Sequence, residues 1–477
     1  MNKKITYNDL WNWIDSISIR YKNYEIKNAI VVYKFLQCNQ LINNVNYFNL
    51  KKLLSFIKWK LKLNLLMSKV PHQNIISKRN DKSIYDLSNK NVYVINHSPN
   101  NPRAFLHITP LVESDDRSLV ITIRNDVYRY FNKIEIPIIL LDVYNPWRKK
   151  SDLEINTPLI LSEKNSLLSL DLFSFASLSR SASLIDLLDI ITNECGLPKT
   201  LITFQDFQAY YSAFATYFTG KVPTITLQHG KVDVSDASIM WKYLISDWMI
   251  ALGPRQAKII EHLGVNFKKI KVLGSAKYDT YLKKINFQKK SKNRRILLGF
   301  QQTMFYKKNR EVIFYFIRDL LSSKEDFTLS IRFHPAILKR RRERFIRKIR
   351  KMIRFSNVAF EISMIKDPLE DISKSMLIFT SNTTLAMEAM LLGKPVIEYL
   401  SSKRDNNKKF RDYRDFVLHA PTGKDAEKLI VKLLNNKKFY KKLVKKQNKI
   451  VNSEIMLPPA IPRILDFINS LSDKKGT

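Results

Sequence analysis

Residues 375–399 read SMLIFTSNTTLAMEAMLLGKPVIEY, and the order of residue types in that stretch decides the fold class. The run 375–379 is apolar throughout its centre, as expected of a strand buried on both faces in a parallel sheet. A hydroxyl-rich turn, Thr380-Ser381-Asn382-Thr383-Thr384, then opens a helix that ends near Gly393, and a second apolar run follows at 395–399. Strand, turn, helix and strand make a βαβ unit. The turn of such a unit lies at the carboxyl edge of the sheet, where free backbone N–H groups and the positive end of the helix dipole meet an anion. Ser381, Asn382, Thr383 and Thr384 are therefore candidate phosphate ligands, and Glu388, one turn inside the helix, is placed to hydrogen-bond a ribose. Serine and threonine also cap helices with no ligand present, so the turn serves either role.

Upstream the pattern repeats: strand 296–299, helix 311–322, strand 328–333, a basic helix 339–354 and strand 358–361. Strand 328–333 closes on Arg332-Phe333-His334-Pro335. Proline stops the strand and aims His334 out of the same sheet edge, where an imidazole can donate to the phosphate of a leaving group. A polar, basic segment, 283–295, reads as a linker. Before it lies another series of apolar runs with helical stretches between several of them: 91–96, 119–124, 136–143, 200–204, 223–227, 248–253 and 270–274. The run 223–227 closes on Gln228-His229-Gly230, which places His229 at a sheet edge as a candidate general base. Asp206, Asp126 and Glu113, also near strand ends, are competing bases; solvated or capping roles suit each of them too. The expected organisation is a helical region 1–90, an α/β domain 91–284, a second α/β domain 285–430 and helices 431–477 that pack back on the first domain. No clear strand is expected before residue 69.

Composition bounds the partners. The chain has 477 residues, 45% of them apolar, enough for two cores. Cys38 and Cys195 form no spacing motif, which fits a reducing compartment and neither a disulfide framework nor a zinc cluster. No apolar run approaches the ~18 residues of a membrane span, and residues 1–10 carry no apolar leader. The expected place is the cytoplasm, or the inner face of the cytoplasmic membrane. A net charge of +38 implies anionic partners, although a genome rich in Lys, Asn and Ile codons would inflate it. In 50–70, Leu50, Leu53, Leu54, Ile57 and Leu61 alternate with lysines at helical spacing. Such a helix suits an anionic bilayer surface or its own domain. The helix 339–354 is dense in arginine, but no nucleic-acid-binding pattern accompanies it, and Phe345, Ile349 and Ile353 would face inward while its cations face solvent, acidic glycan or lipid headgroups.

Gln228-His229-Gly230, Gly253, Gly274-Ser275-Ala276-Lys277-Tyr278-Asp279, His334-Pro335, Ser381-Asn382-Thr383-Thr384 and Gly393-Lys394-Pro395 form an ordered series over roughly residues 200–400. The series resembles bacterial surface-polysaccharide transferases of the GT-B fold, including capsule polysialyltransferases, Kdo transferases and teichoic-acid glycerophosphotransferases. The resemblance implies two Rossmann-like domains facing a cleft. It also implies donor-phosphate binding by His334, Ser381, Thr383 and Thr384, and a base at His229. Two departures stand out: Asn382 displaces the second hydroxyl of the turn, and no acidic-acidic-glycine motif stands near the N-terminus. No Asp-x-Asp motif for a metal–nucleotide complex is present, so the expected mechanism is metal-independent and needs no cofactor. The expected donor is CMP- or CDP-activated, or UDP-activated, and the acceptor a surface polysaccharide or lipid-linked glycan. The alternatives are a non-hydrolysing nucleotide-sugar epimerase and a non-enzymatic basic protein that binds nucleic acid or a membrane surface.

Overall fold

The computed structural model describes residues 7–30, 86–99, 102–141, 154–156, 172–204, 206, 209–228, 230–232, 234, 236–279, 294–300, 307–334, 337, 339–353, 358–365, 367–380, 384–399 and 417–473. The amphipathic stretch 50–70 and the linker 283–293 lie outside them. The chain begins with helix α1 (Tyr7–Ser16) and a hairpin of β1 (Ser18–Tyr21) and β2 (Tyr24–Glu25), turned at Lys22 with φ +52. This corrects the expectation of an all-helical start. Strands of four and two residues are too short to leave a period-2 signature, and the third strand of their small antiparallel sheet comes from far along the chain.

The first large sheet is built from β3 (Asn91–Val94), helix α2 (Pro102–Ser114), β4 (Ser118–Thr122), helix α3 (Asn125–Lys133) and β5 (Ile138–Leu140). β6 (Glu154–Asn156) leaves it to pair with β1. After helix α4 (Leu172–Cys195) the chain returns through β7 (Thr200–Phe204), helix α5 (Ala209–Phe218), β8 (Thr224–Leu227), β9 (Trp248–Ala251), helix α6 (Pro254–His262) and β10 (Ile270–Val272). The order is β10-β9-β8-β7-β3-β4-β5, and every pairing is parallel. The central strands are buried along their whole length, which is why they read as continuous apolar runs.

The second sheet repeats the plan. It comprises β11 (Arg295–Phe300), helix α7 (Lys307–Leu321), β12 (Thr328–Phe333), helix α8 (Lys339–Ile353), β13 (Ala359–Ile362), helix α9 (Pro368–Ser373), β14 (Leu377–Thr380), helix α10 (Thr384–Leu391), β15 (Val396–Tyr399) and β16 (Leu418–Ala420). The order is β13-β12-β11-β14-β15-β16, again all parallel. In α8, Phe345 and Ile349 are buried while Arg347 and Arg350 face solvent, so the arginine density is one face of a packed helix.

In each sheet the chain works outward in one direction and then crosses back to build the other side. The switch falls between β3 and β7 in the first sheet and between β11 and β14 in the second. At such a point successive helices leave to opposite faces, opening a crevice at the carboxyl ends of the two strands.

The C-terminal helices α11 (Gly423–Asn435), α12 (Lys437–Glu454) and α13 (Ala460–Asp473) bind the two halves together. Helix α12 packs on α10 and α6, and α13 packs on α2 and β7, as the expectation for the last residues required. At the crossing a Cβ on Gly253 would stand 2.4 Å from the backbone oxygen of Glu454, so only glycine fits. Each sheet has its own apolar core, and a third cluster, with Tyr278, Ala386, Met387, Val451 and Ile455, fills the space between them. Among the described residues no helix is long and apolar enough to cross a membrane.

Candidate functional site

Strand β14 ends at Thr380 and α10 starts at Thr384, at the switch point of the second sheet. Ser381, Asn382 and Thr383 lie between them, outside the described residues. Thr384 is half-buried at the mouth of the helix, whose first N–H groups have no partner within the helix. Glu388 is 1% exposed, and its Oε1 accepts from Lys277 Nζ at 2.5 Å. Its Oε2 is buried and has no hydrogen-bond partner among the described residues. Buried carboxyl oxygens are normally matched by donors, so a half-satisfied one marks a place where a donor belongs.

His334 stands at the carboxyl end of β12. Its backbone N–H donates to Phe300 O at 2.8 Å, and its carbonyl accepts from Ile337 N at 3.0 Å. Only β11 separates β12 from β14, so the carboxyl ends of the strands that carry His334 and lead to α10 lie about 10 Å apart along one sheet edge, two strand spacings. His334 and the start of α10, both singled out in the sequence as candidate phosphate-binding features, thus share one edge.

The first domain meets that edge at the end of β8. A Cβ on Gly230 would lie 3.6 Å from Thr384 Oγ1, so the turn after β8 faces the mouth of α10. His229 itself lies outside the described residues. Gln228 is structural: its Oε1 accepts from Leu252 N, and its Nε2 donates to Gly230 O and Gln256 Oε1, which pins the loop.

The segment Gly274–Asp279 proves to be the hub between the halves. Ser275 Oγ lies 2.6 Å from His107 Nδ1, Lys277 pairs with Glu388, and Tyr278 enters the interdomain core. Asp279 accepts from Ala460 N and Ile461 N, capping α13.

The three competing bases separate. Asp206 is fully buried and accepts from Ser246 N and Ile245 N, holding the loop before β9. Burial pushes its pKa up to about 6 against those hydrogen bonds, which tie the carboxyl group to that loop. Glu113 sits near the end of α2, at the amino edge of the sheet, where it accepts from Tyr130 Oη at 3.3 Å. A helix that leaves the carboxyl edge of β3 carries its last turn away from the cleft. Asp126 does lie at the carboxyl edge, where Arg124 grips it through Nε and Nη2, both at 2.9 Å, and Ser98 Oγ donates at 2.6 Å. The Arg124 hydrogen bond, with that from Ser98, holds its carboxyl at about 2, so it is a poor proton acceptor at neutral pH.

One residue at this edge was missed. His97 follows β3 at the β3/β7 switch point, with Nδ1 2.6 Å from Tyr211 Oη. Its only sequence signal is a histidine just past a buried strand, and the tyrosine that orients it is 114 positions away.

No protein-family model matches this chain, and no curated protein does. Solved structures do. A Listeria monocytogenes protein assigned as a UDP-N-acetylglucosamine 2-epimerase matches over 81% of this chain and 97% of its own, with a TM-score of 0.56 at 17% identity. The UDP-GlcNAc 2-epimerase of Neisseria meningitidis, bound to UDP-GlcNAc, gives 0.54 at 14% identity over 80% of this chain and 100% of its own. MnaA of S. aureus, in complex with UDP, gives 0.51 at 14% identity over 80% and 96%. Likeness at this level establishes a shared fold, the GT-B arrangement of two Rossmann-like domains.

Proposed function

We propose that the protein is a glycosyltransferase, or a related polyol-phosphate transferase, of the surface-polysaccharide kind, with its nucleotide donor on the second domain and its acceptor on the first. The observation that carries the donor side is the buried Glu388 Oε2, which has no hydrogen-bond partner among the described residues and lies one turn inside a helix that opens at the sheet's switch point. A ribose hydroxyl would supply the missing donor. In this reading the donor's phosphate rests on the α10 N-terminus and the turn at Ser381, Asn382 and Thr383, and His334 donates to the leaving phosphate. His229, next to the Gly230 turn that faces Thr384, removes the proton from the acceptor hydroxyl as the new bond forms. The leaving group departs with the donor's bonding electron pair, stabilised by helix dipole and imidazole. CMP- and CDP-activated donors fit the resemblance in sequence. The UDP found with similar folds makes UDP-sugars the first to test.

An epimerase is the second reading, favoured by the identity of those similar folds. It needs acids and bases around one sugar. Of the three carboxylates proposed for the first domain, Asp206 holds a buried loop, Glu113 lies at the far edge and Asp126 is held ionised. The transferase is the first reading on the strength of the sequence resemblance, and the epimerase fits the fold equally well. Incubation with UDP-GlcNAc and no acceptor separates the two. An epimerase converts the sugar to equilibrium, whereas a transferase leaves it intact apart from slow hydrolysis. Full conversion without acceptor contradicts the transferase.

A further inference from the structure

We propose that His97 and Arg124 form a subsite in the first domain that binds an acceptor-only, anionic oxygen group, a carboxylate or a phosphate, on the molecule to be modified. That the molecule is the acceptor rests on the transferase reading; the subsite itself rests on the geometry below.

The Tyr211 hydroxyl accepts from Asn96 N at 3.0 Å and lies 2.6 Å from His97 Nδ1. It has one proton to give, and Nδ1 is the acceptor beside it among the described residues. Either tautomer satisfies this contact, and the proposal takes the one in which the hydroxyl donates to Nδ1 and the ring's own proton sits on Nε2. In that form the imidazole is a donor, not a base. It is also fixed: it stacks on Tyr211 at 5.7 Å and stands edge-on to Phe204 at 5.0 Å. A ring already held loses little conformational entropy when a ligand arrives.

Arg124 supplies the second donor. Val94 pairs with Ile121 in the β3–β4 ladder, so His97 and Arg124 each lie three residues beyond paired positions, at the same edge. The Ser98–Asp126 hydrogen bond ties the two loops. Asp126 holds the guanidinium by Nε and Nη2, and Nη1 donates to no acceptor among the described residues. The Arg124 side chain is 40% exposed. Its charge adds to burial in pushing the His97 imidazole down to about 4, so the ring keeps the neutral, donating form at neutral pH. Two donors at one sheet edge, near enough for the Arg124 charge to act on the imidazole, suit a group that only accepts, since a hydroxyl would bring a proton that needs its own partner. The net charge of +38 draws the same class of ligand toward the surface.

The test uses the full chain, D-glucuronate and sn-glycerol 3-phosphate as anionic probes, and D-glucose and glycerol as their neutral counterparts. Histidine-selective 15N NMR reads the tautomer and the binding. His97→Asn keeps an oxygen to accept from Tyr211 but loses the distal donor; His97→Gln returns an N–H near the place of Nε2. The expected result is an Nε2–H tautomer whose signal shifts with at least one anion and not with its neutral counterpart. His97→Asn should weaken that anion about ten-fold and His97→Gln recover most of it, the scale of one charge-assisted hydrogen bond. A response to glucuronate identifies a carboxylate, and a response to glycerol phosphate a phosphate; either supports the subsite. A proton on Nδ1, equal response to anion and neutral, or an unchanged affinity in His97→Asn overturns it. UDP binding is measured on the same samples. If UDP fails to bind while the anion still does, it is the donor reading that falls.

Discussion

Glu388 and Lys277 stand 111 positions apart in the chain, yet they form an ion pair with 1% and 2% side-chain exposure. The sequence shows each residue's chemistry and neither one's partner, because a side chain's partner is set by the whole fold. For that reason Glu388 could be read from the sequence as a candidate acid inside a helix, while its partner Lys277 was seen only as part of a motif. Removing one member of a buried pair strands the other, so Lys277→Met should lower unfolding free energy by about 3 kcal/mol in urea titrations. Adding Glu388→Gln should recover part of that loss. A loss below about 1 kcal/mol in the single variant would mean that the pair is open to water. His97 gives a second test at this scale. Its folded pKa of about 4 lies below the ordinary histidine value, so the unfolded chain binds the extra proton first. The stability margin of the native protein over His97→Gln is therefore complete above pH ~6.5 and shrinks as pH falls toward 4. A margin that grows on acidification contradicts the buried, neutral imidazole.

Buried parallel strands were the most legible elements, since β7, β14 and others like them are largely apolar, buried along their whole length and separated by helices. The β1–β2 hairpin was not legible, because its strands are four and two residues long and the third strand of its sheet, β6, lies far along the chain. Helix α8 shows what charge density conceals. Ile349→Ala should cost about 2–5 kcal/mol, because Ile349 is fully buried. Charge reversal at exposed Arg347 or Arg350 should change stability by no more than about 0.5 kcal/mol. Comparable costs from both would show that the basic face is itself packed. At the crossing of α12 over α6, Gly253→Ala forces a Cβ into the Glu454 backbone. Faster limited proteolysis around residues 455–459, together with a loss of about 1–3 kcal/mol, is the expected outcome. Unchanged protection there would mean that the crossing is looser than described.

For the whole molecule, two α/β halves were legible from the restart of the pattern after the linker, but their joining was not. It depends on residues 274–279, which reach at once to His107, Glu388 and the start of α13. The same joining turns the carboxyl edge at Gly230 toward the mouth of α10, where the proposed function places donor and acceptor. The central claim is that the second domain holds a nucleotide there, with Glu388 on its ribose. Isothermal titration calorimetry of the full chain with UDP, CDP, CMP and GDP, repeated with Glu388→Gln, tests it directly. The account predicts that one pyrimidine nucleotide binds more tightly than GDP, and that Glu388→Gln weakens it about ten-fold or more while the protein stays folded. No binding by any of the four, or equal affinity in the variant, would contradict it.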